Sequence, residues 1–340
     1  MFINRIHILI IGVVLSINIS YCQDPVFTQF YSNALHLNPA FAGRDLSPRF
    51  HSSYRDQWPG INKAYVTYNV EYDQFSDDLH GGLGIQILHD RTGKGMLNTT
   101  QFAFCYSYQL LINQEWTMNF GIKTALVQKN LDWANAKWGD EIDPANGFIN
   151  PTNQPQGVNS NYLDFSNGFV LFGKNLFFGA AFNHLTKPNE SFFYNVSNNL
   201  IKDRIPIRTS LHGGYKLKIL QNGLFHKELF VTPEFVLDFQ KNLKRYNFGT
   251  YFVDGIFDLG LWYRHTRFQD ANNDKVAPQD ALIIVVGIEN KNLRIGYSYD
   301  LNLSRLVASS IGAHEISFTI DLPEKKVHSS KFRVVNCPQF

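Results

Sequence analysis

The chain has 340 residues, a formal net charge of +2 and a charged fraction of 18%, against an aromatic fraction of 15% that includes 29 Phe and 16 Tyr. So near-neutral a chain has no basic footprint for nucleic acid, and its three cysteines are too sparse for a disulfide framework. A soluble domain this aromatic would need a very large core, whereas a membrane barrel turns its aromatics outward into lipid and into two interfacial girdles.

Residues 1–22 read as a secretory signal peptide. Arg5 supplies a short basic region, Ile8 to Ile19 an apolar run, and Ser20 and Cys22 small residues ahead of a cleavage before Gln23. The run falls short of the about 20 apolar residues of a spanning helix. A lipoprotein would acylate Cys22, but Tyr21 before it is bulky for a lipobox. Exported and without a second long apolar stretch, the mature chain is either soluble or spans a membrane as a β-barrel.

Residues 23–47 precede the first strand. Pro25 and Pro39 remove backbone donors and disfavour helix around them, and Asn38-Pro39 suits a turn. Phe27, Phe30, Tyr31, Leu35, Leu37 and Phe41 are too apolar to hang free in the periplasm. They predict a plug or collar packed inside or under a barrel, a large barrel leaving room for such filling; a plain structural lead-in to the first strand is the alternative.

From residue 48 to 322 the pattern is period-2 alternation. Trp116, Met118, Phe120 and Ile122 alternate with Thr117, Asn119, Gly121 and Lys123. Ile207 to Ile219 alternates with Arg208, Ser210, His212, Gly214, Lys216 and Lys218. Phe257, Leu259, Leu261 and Tyr263 alternate with Asp258, Gly260, Trp262 and Arg264, and Leu293 to Tyr299 with Arg294, Gly296 and Ser298. Apolar residues on one face and Gly, Ser and charges on the other fit a lipid face and a lumen face. The segments are long, near the 9–11 residues of a tilted membrane strand, which favours a barrel over a soluble sandwich. About fourteen such segments, the first near Arg49 and the last near Gly312, make an even-numbered all-β outer-membrane barrel. Short periplasmic turns are expected at 76–78, 111–113, 173–175, 221–223, 254–255 and 289–292, where Asn-Gly and Asp-Gly tolerate positive φ. Long extracellular loops are expected at 130–159, 186–205, 269–279 and 302–310, the first a polar surface loop folded back over the pore. Lys241-Asn242-Leu243 is short where a long loop is due, so either that hairpin is tight or the strand count is off by two. Residues 323–340 form a periplasmic tail.

Candidate chemistry is sparse. Ser210 and His212 share a predicted lumen face, with His184 on another strand, but no GxSxG turn or ordered triad accompanies them. Asp270-Ala271-Asn272-Asn273-Asp274 begins like a calcium loop, yet Lys275 replaces the turn glycine and Ala281 the closing glutamate. His314 and Glu315 point to opposite faces of a strand and do not share an ion. Arg55 and Glu71 are an expected lumen ion pair. Cys105 in a strand and Cys337 in the tail have no supported partner. No residue is predicted to be catalytic and no cofactor or metal is expected.

Sequence elements at both ends carry a resemblance. Gln23-Asp24-Pro25, Phe27 and Gln29 are followed by Asn38-Pro39-Ala40-Phe41-Ala42-Gly43, then by Tyr54-Arg55-Asp56-Gln57-Trp58-Pro59. Near the end come His314-Glu315-Ile316 and the terminal Cys337-Pro338-Gln339-Phe340. In order and spacing these resemble the PorP/SprF family of outer-membrane proteins of the type IX secretion and gliding machinery; the middle of the chain adds little. The resemblance implies a non-enzymatic outer-membrane component that docks a secreted adhesin, or its C-terminal domain, or the periplasmic ring proteins, for secretion, surface attachment or gliding. The docking or structural residues it implies are those just quoted, chiefly Asp24, Phe27, Asn38, Phe41, Arg55, Trp58, Cys337 and Phe340, with Gln23, Pro25, Gln29, Pro39, Gly43, Gln57, His314, Glu315 and Pro338 beside them. The rivals are a channel or substrate-specific transporter with charged rings at a constriction, and a lipid-modifying enzyme, whose nucleophile and base are not found.

Overall fold

The computed structural model describes residues 24–45, 47–61, 64–136, 138–143, 145–152, 157–193, 203–220, 229–269, 279–303 and 311–323. Cys337, Pro338, Phe340, Gln23, the leader and the Asp270–Asp274 element lie outside them. The alternating segments form fourteen antiparallel strands: β1 (Arg49–Gln57), β2 (Tyr65–Ser76), β3 (Gly81–Thr92), β4 (Leu97–Leu111), β5 (Thr117–Leu131), β6 (Ser160–Phe172), β7 (Leu176–Asn183), β8 (Arg208–Tyr215, resumed over Leu217–Leu220), β9 (Leu229–Gln240), β10 (Leu243–Asp254), β11 (Phe257–Phe268), β12 (Gln279–Asn290), β13 (Leu293–Asn302) and β14 (Ala313–Asp321). Each pairs with its neighbours in sequence. β1 also pairs with β14 along its whole length, from Arg49↔Asp321 to Gln57↔Ala313. Closure leaves no sheet edge, which is what lipid demands of a backbone full of polar groups.

The two faces sort by solvent. Ile85, Ile87, Phe102, Phe104, Phe120 and Ile122 of β3 to β5 are exposed on the outside, while Asn69, Glu71, Gln86, Asn119 and Lys123 of β2, β3 and β5 are buried within. At one rim, the turn rim, β1 begins, β14 ends and the hairpins among the described residues are tight. The opposite loop rim carries the long connections after β5 and β7; the first contains a small hairpin pairing Ile142 with Phe148. Trp133 of that connection stacks on Trp138 and meets Phe192 and Phe193 of the other edge-on. The Lys241-Asn242 hairpin is simply tight. β9 and β10 pair in unbroken register from Leu229↔Asp254 to Gln240↔Leu243, and Lys241 turns the chain at φ 47°.

One expectation is corrected. The inward face of β8 holds for Arg208, Ser210 and His212, all buried, but not for Lys216 and Lys218, which are exposed. β7 starts at Leu176, opposite Tyr215. Beyond it β8 has lost that neighbour, so the strand breaks at Lys216, whose N–H turns to the Asn175 carbonyl (2.7 Å). Its ammonium lies over the Phe230 ring, 4.6 Å from the centroid. A long cationic stem at the rim reaches water this way while covering apolar surface.

Candidate functional site

The lumen is occupied by the chain's own N-terminal stretch. Every residue from Phe27 to Arg44 except His36 is buried. The stretch enters at the loop rim, where Asp24 meets His184 and Arg208, and leaves at the turn rim, where Gly43 meets Asp73. It has little regular structure. A single turn of helix, α1 (Ala34–Leu37), is followed by a 3-10 turn over Pro39–Phe41 whose first N–H is capped by the Asn38 side chain, Ala40 N donating to Asn38 Oδ1 at 2.9 Å. So short a stretch satisfies few of its own backbone groups, and burial requires partners for the rest. The barrel wall supplies them.

Four polar centres do this. At Glu315 of β14, the carboxylate accepts from Thr28 N (2.7 Å), Thr28 Oγ1 (2.7 Å), Gln29 N (3.2 Å) and Asn33 Nδ2 (3.1 Å). Arg55 of β1 completes the centre, donating to Glu315 (3.3 Å) and to Asp300 of β13 (2.8 Å), which also takes Arg264 of β11 (2.9 Å). At Glu71 of β2, the carboxylate accepts from Leu35 N and His36 N (3.1 Å each) and from Asn69 and Gln86 (2.9 Å each). At Asn38, the side-chain amide donates to the carbonyls of Phe169 and Ala180 (3.1 Å each) and contacts His212 Nε2 at 3.0 Å. At Asp73, one oxygen accepts from Gly43 N (2.8 Å) and the other is held by the Arg49 fork (2.9 and 2.8 Å).

Apolar contacts fill the spaces between. Phe30 packs on Trp262 of β11 with ring centroids 4.9 Å apart, and Tyr31 meets Phe41 and Phe177 edge-on. The wall also gives way to the stretch at inward glycines. A Cβ at Gly121 would overlap the backbone nitrogen of Ala40, and one at Gly82 the carbonyl of Ala42.

The loop-rim end is held differently. Asp24 Oδ2 lies 2.9 Å from His184 Nε2 and 3.0 Å from Arg208 Nη1, and His184 Nδ1 lies 2.8 Å from Asp164. Burial opposes charge on both partners, but the facing charges prevail. The His184 imidazole is pushed up to about 9, and the Asp24 carboxyl is held well below the usual carboxylate range.

The residues singled out in the sequence separate by face. Gln29, Asn38, Gly43, Arg55 and Glu315 meet in the polar centres, and Asp24 in the loop-rim ion pair. Phe27 packs edge-on against His36, Pro25 lines a cavity beside it, and Pro39 and Phe41 are buried in the 3-10 turn. Gln57 closes β1 opposite Ala313. Trp58 follows at φ 62°, its N–H on the Gly312 carbonyl and its ring against Tyr65. His314 faces outward between Tyr297 and Tyr299, opposite in direction to Glu315. Arg55 and Glu71 both face the lumen but do not pair. β1 and β2 set Arg55 opposite Thr67 and Glu71 opposite His51, four residues apart along the barrel, about 13 Å. Ser210 and His212 are taken by different partners, Asp238 (2.6 Å) and Asn38. Asn33, Asp73 and Asp300 escaped sequence reading. Their only signal was a polar residue at an inward position, which many lumen residues share.

A model of the family described as "Type IX secretion system membrane protein PorP/SprF" matches residues 19–320. No curated protein matches the sequence. Similar solved structures include the CymD monoaromatic hydrocarbon channel (10% identity, covering 86% of this chain and 93% of that one, TM-score 0.48). Others are the P. putida toluene transporter TodX (9%, 85% and 94%, 0.46) and the Acinetobacter baumannii outer membrane protein Omp33 (8%, 82% and 100%, 0.43).

Proposed function

The chain belongs to the PorP/SprF family of type IX secretion system membrane proteins, and from that premise we propose that it is a non-enzymatic docking barrel whose lumen is plugged by its own N-terminal segment. After cleavage before Gln23, residues 23–47 act as the plug and 323–340 as a tail leaving the turn rim on the periplasmic side. The long loops face outward. A secreted adhesin, or its C-terminal domain, is held at the loops, and the periplasmic ring proteins meet the turn rim and the tail.

The observation that carries this reading is the burial of Phe27 to Arg44 inside the barrel. A conducting pore needs a hydrated lumen with a selective constriction. Here the lumen is packed with side chains whose polar atoms are tied to the wall. The test is crosslinking in intact cells, extraction in mild detergent and mass spectrometry of what is recovered, beside conductance of the purified barrel in liposomes. Docking expects an adhesin or ring proteins with the barrel and little conductance. A barrel that comes out alone and conducts ions is a transporter instead.

A further inference from the structure

On the outer wall, where β10, β11 and β12 approach the loop rim, two cations stand side by side. Register sets Lys244 of β10 directly opposite Arg267 of β11, and both are exposed. Cross-strand partners share a face with Cβ atoms about 5 Å apart, and like charges so placed repel. Neither side chain makes an ion pair among the described residues. The carboxylate beside them, Asp280 of β12, is already engaged, its Oδ1 lying 2.6 Å from His265 Nδ1. Arg267 belongs to the same chain of bonds, its Nε donating to His265 Nε2 at 3.1 Å. With Nε2 accepting, Nδ1 carries the proton given to Asp280. This chain across β11 and β12 holds the guanidinium by one edge. Its two Nη groups make no hydrogen bond among the described residues and stand beside the Lys244 ammonium.

Toward the middle of the wall the surface turns aromatic. Tyr246 stacks on His265 with ring centroids 6.2 Å apart and meets Phe239 edge-on at 6.0 Å. Phe248, Leu261 and Tyr263 follow, all exposed on the outside. Tyrosine marks the level at which acyl chains give way to headgroups. Lys244 lies two residues rimward of Tyr246, about 7 Å along the strand, which sets both cations at headgroup depth. We propose that Lys244 and Arg267 bind the phosphate of an outer-leaflet lipid. The Arg267 Nη groups grip two phosphate oxygens, the Lys244 ammonium takes a third, and the acyl chains run down over Tyr246 and Phe248. The guanidinium matches a phosphate through paired N–H···O bonds, and the shared anion relieves the repulsion between the two cations. The choice of leaflet rests on the outward orientation of the long loops.

The test uses the full barrel, delipidated in an uncharged detergent, with bound lipid read by native mass spectrometry. The probes are bisphosphorylated lipid A, the same lipid stripped of both phosphates, and inorganic phosphate. The native barrel should retain the phosphorylated lipid and not the stripped one. Lys244→Gln and Arg267→Gln together should weaken its apparent affinity at least about tenfold, the loss of two cations at an anionic lipid. Lys187→Gln removes an exposed cation elsewhere on the loop rim and should bind as the native barrel does. Equal retention of both lipids, or a doubly substituted barrel that binds like the native one, overturns the site. An equal loss in Lys187→Gln overturns it in favour of diffuse attraction to net charge, and inorganic phosphate that displaces the lipid at equal concentration overturns a lipid ligand. Binding in detergent depends neither on a docked client nor on orientation, so a failed pull-down beside lipid binding leaves the site standing. The leaflet is decided separately by labelling Lys187→Cys in intact cells with a membrane-impermeant maleimide. Labelling supports the outer leaflet, and protection overturns it.

Discussion

At the Glu315 centre one fully buried carboxylate collects backbone and side-chain donors from Thr28, Gln29 and Asn33 and is balanced by Arg55. At the loop rim the Asp24 side chain is 21% exposed and is held by two cations, one of them an imidazole. Both fix the same segment to the same wall. The first is a buried network of hydrogen bonds around one carboxylate, the second a partly exposed ion pair that includes an imidazole. The N-terminal stretch is therefore moored at mid-lumen by buried groups and, at the end facing the long loops, by an ion pair sensitive to pH.

The sharpest way to break the comparison is Glu315→Ala. It strips Thr28 and Gln29 of their acceptor and leaves Arg55 with Asp300 as its one carboxylate among the described residues. Removing one partner of a buried charge pair typically costs about 3–5 kcal/mol. Denaturant unfolding in detergent should report a loss of that order, accompanied by a rise in liposome conductance as the plug loosens. Native conductance in a folded Glu315→Ala barrel would show that this centre does not hold the plug in place.

The loop-rim mooring is tested with pH. His184 is raised in the folded state, so its contribution is fully present below about 6.5 and is lost as pH climbs through about 9. Asp24 is depressed, so its share is present above about 3.8 and fades only as pH falls below that. The native barrel should lose on the order of 2–3 kcal/mol between about pH 6 and pH 10 from this pair. His184→Gln should flatten that dependence. Equal stability of native and variant across the range would remove the clamp from the account.

A third change separates hydrogen bonding from fit. Gly121→Ala removes no polar side chain but drives a methyl group into the backbone nitrogen of Ala40. Overpacking of this kind costs about 1–3 kcal/mol. If the cradle matters, proteolysis of the plug should quicken in this variant while the pH dependence through His184 stays as in the native barrel.

Much of this was legible in the sequence because the barrel wall is a local pattern. Alternation places Gly121, Asn119 and Lys123 on one face before any neighbour is known, and the apolar residues from Phe27 to Phe41 announce that the segment must be covered. The short Lys241-Asn242 connection left the strand count open, since alternation alone does not distinguish a tight hairpin at the loop rim from a missed strand pair. The moorings were not legible at all. Thr28 and Glu315 are 287 residues apart, and which inward residue meets which is set by register across several strands. Arg55 and Glu71, close in sequence and of opposite sign, invite pairing, yet the ladder separates them and gives Arg55 to strands from the other end of the chain.

The smallest effect is expected at His314, and it is the cleanest test of the wall's two faces. It adjoins Glu315 in sequence and belongs to the same end-of-chain signature, but its ring lies outside against Tyr297 and Tyr299 and touches nothing of the plug. Truncation of a residue in such a position is usually within about 0.5 kcal/mol. His314→Ala should therefore unfold and conduct as the native barrel does, while Glu315→Ala, one residue along the same strand, does neither. A conductance rise in His314→Ala would mean that the outer aromatic row also steadies the plug, and that face alone does not decide what the signature residues do.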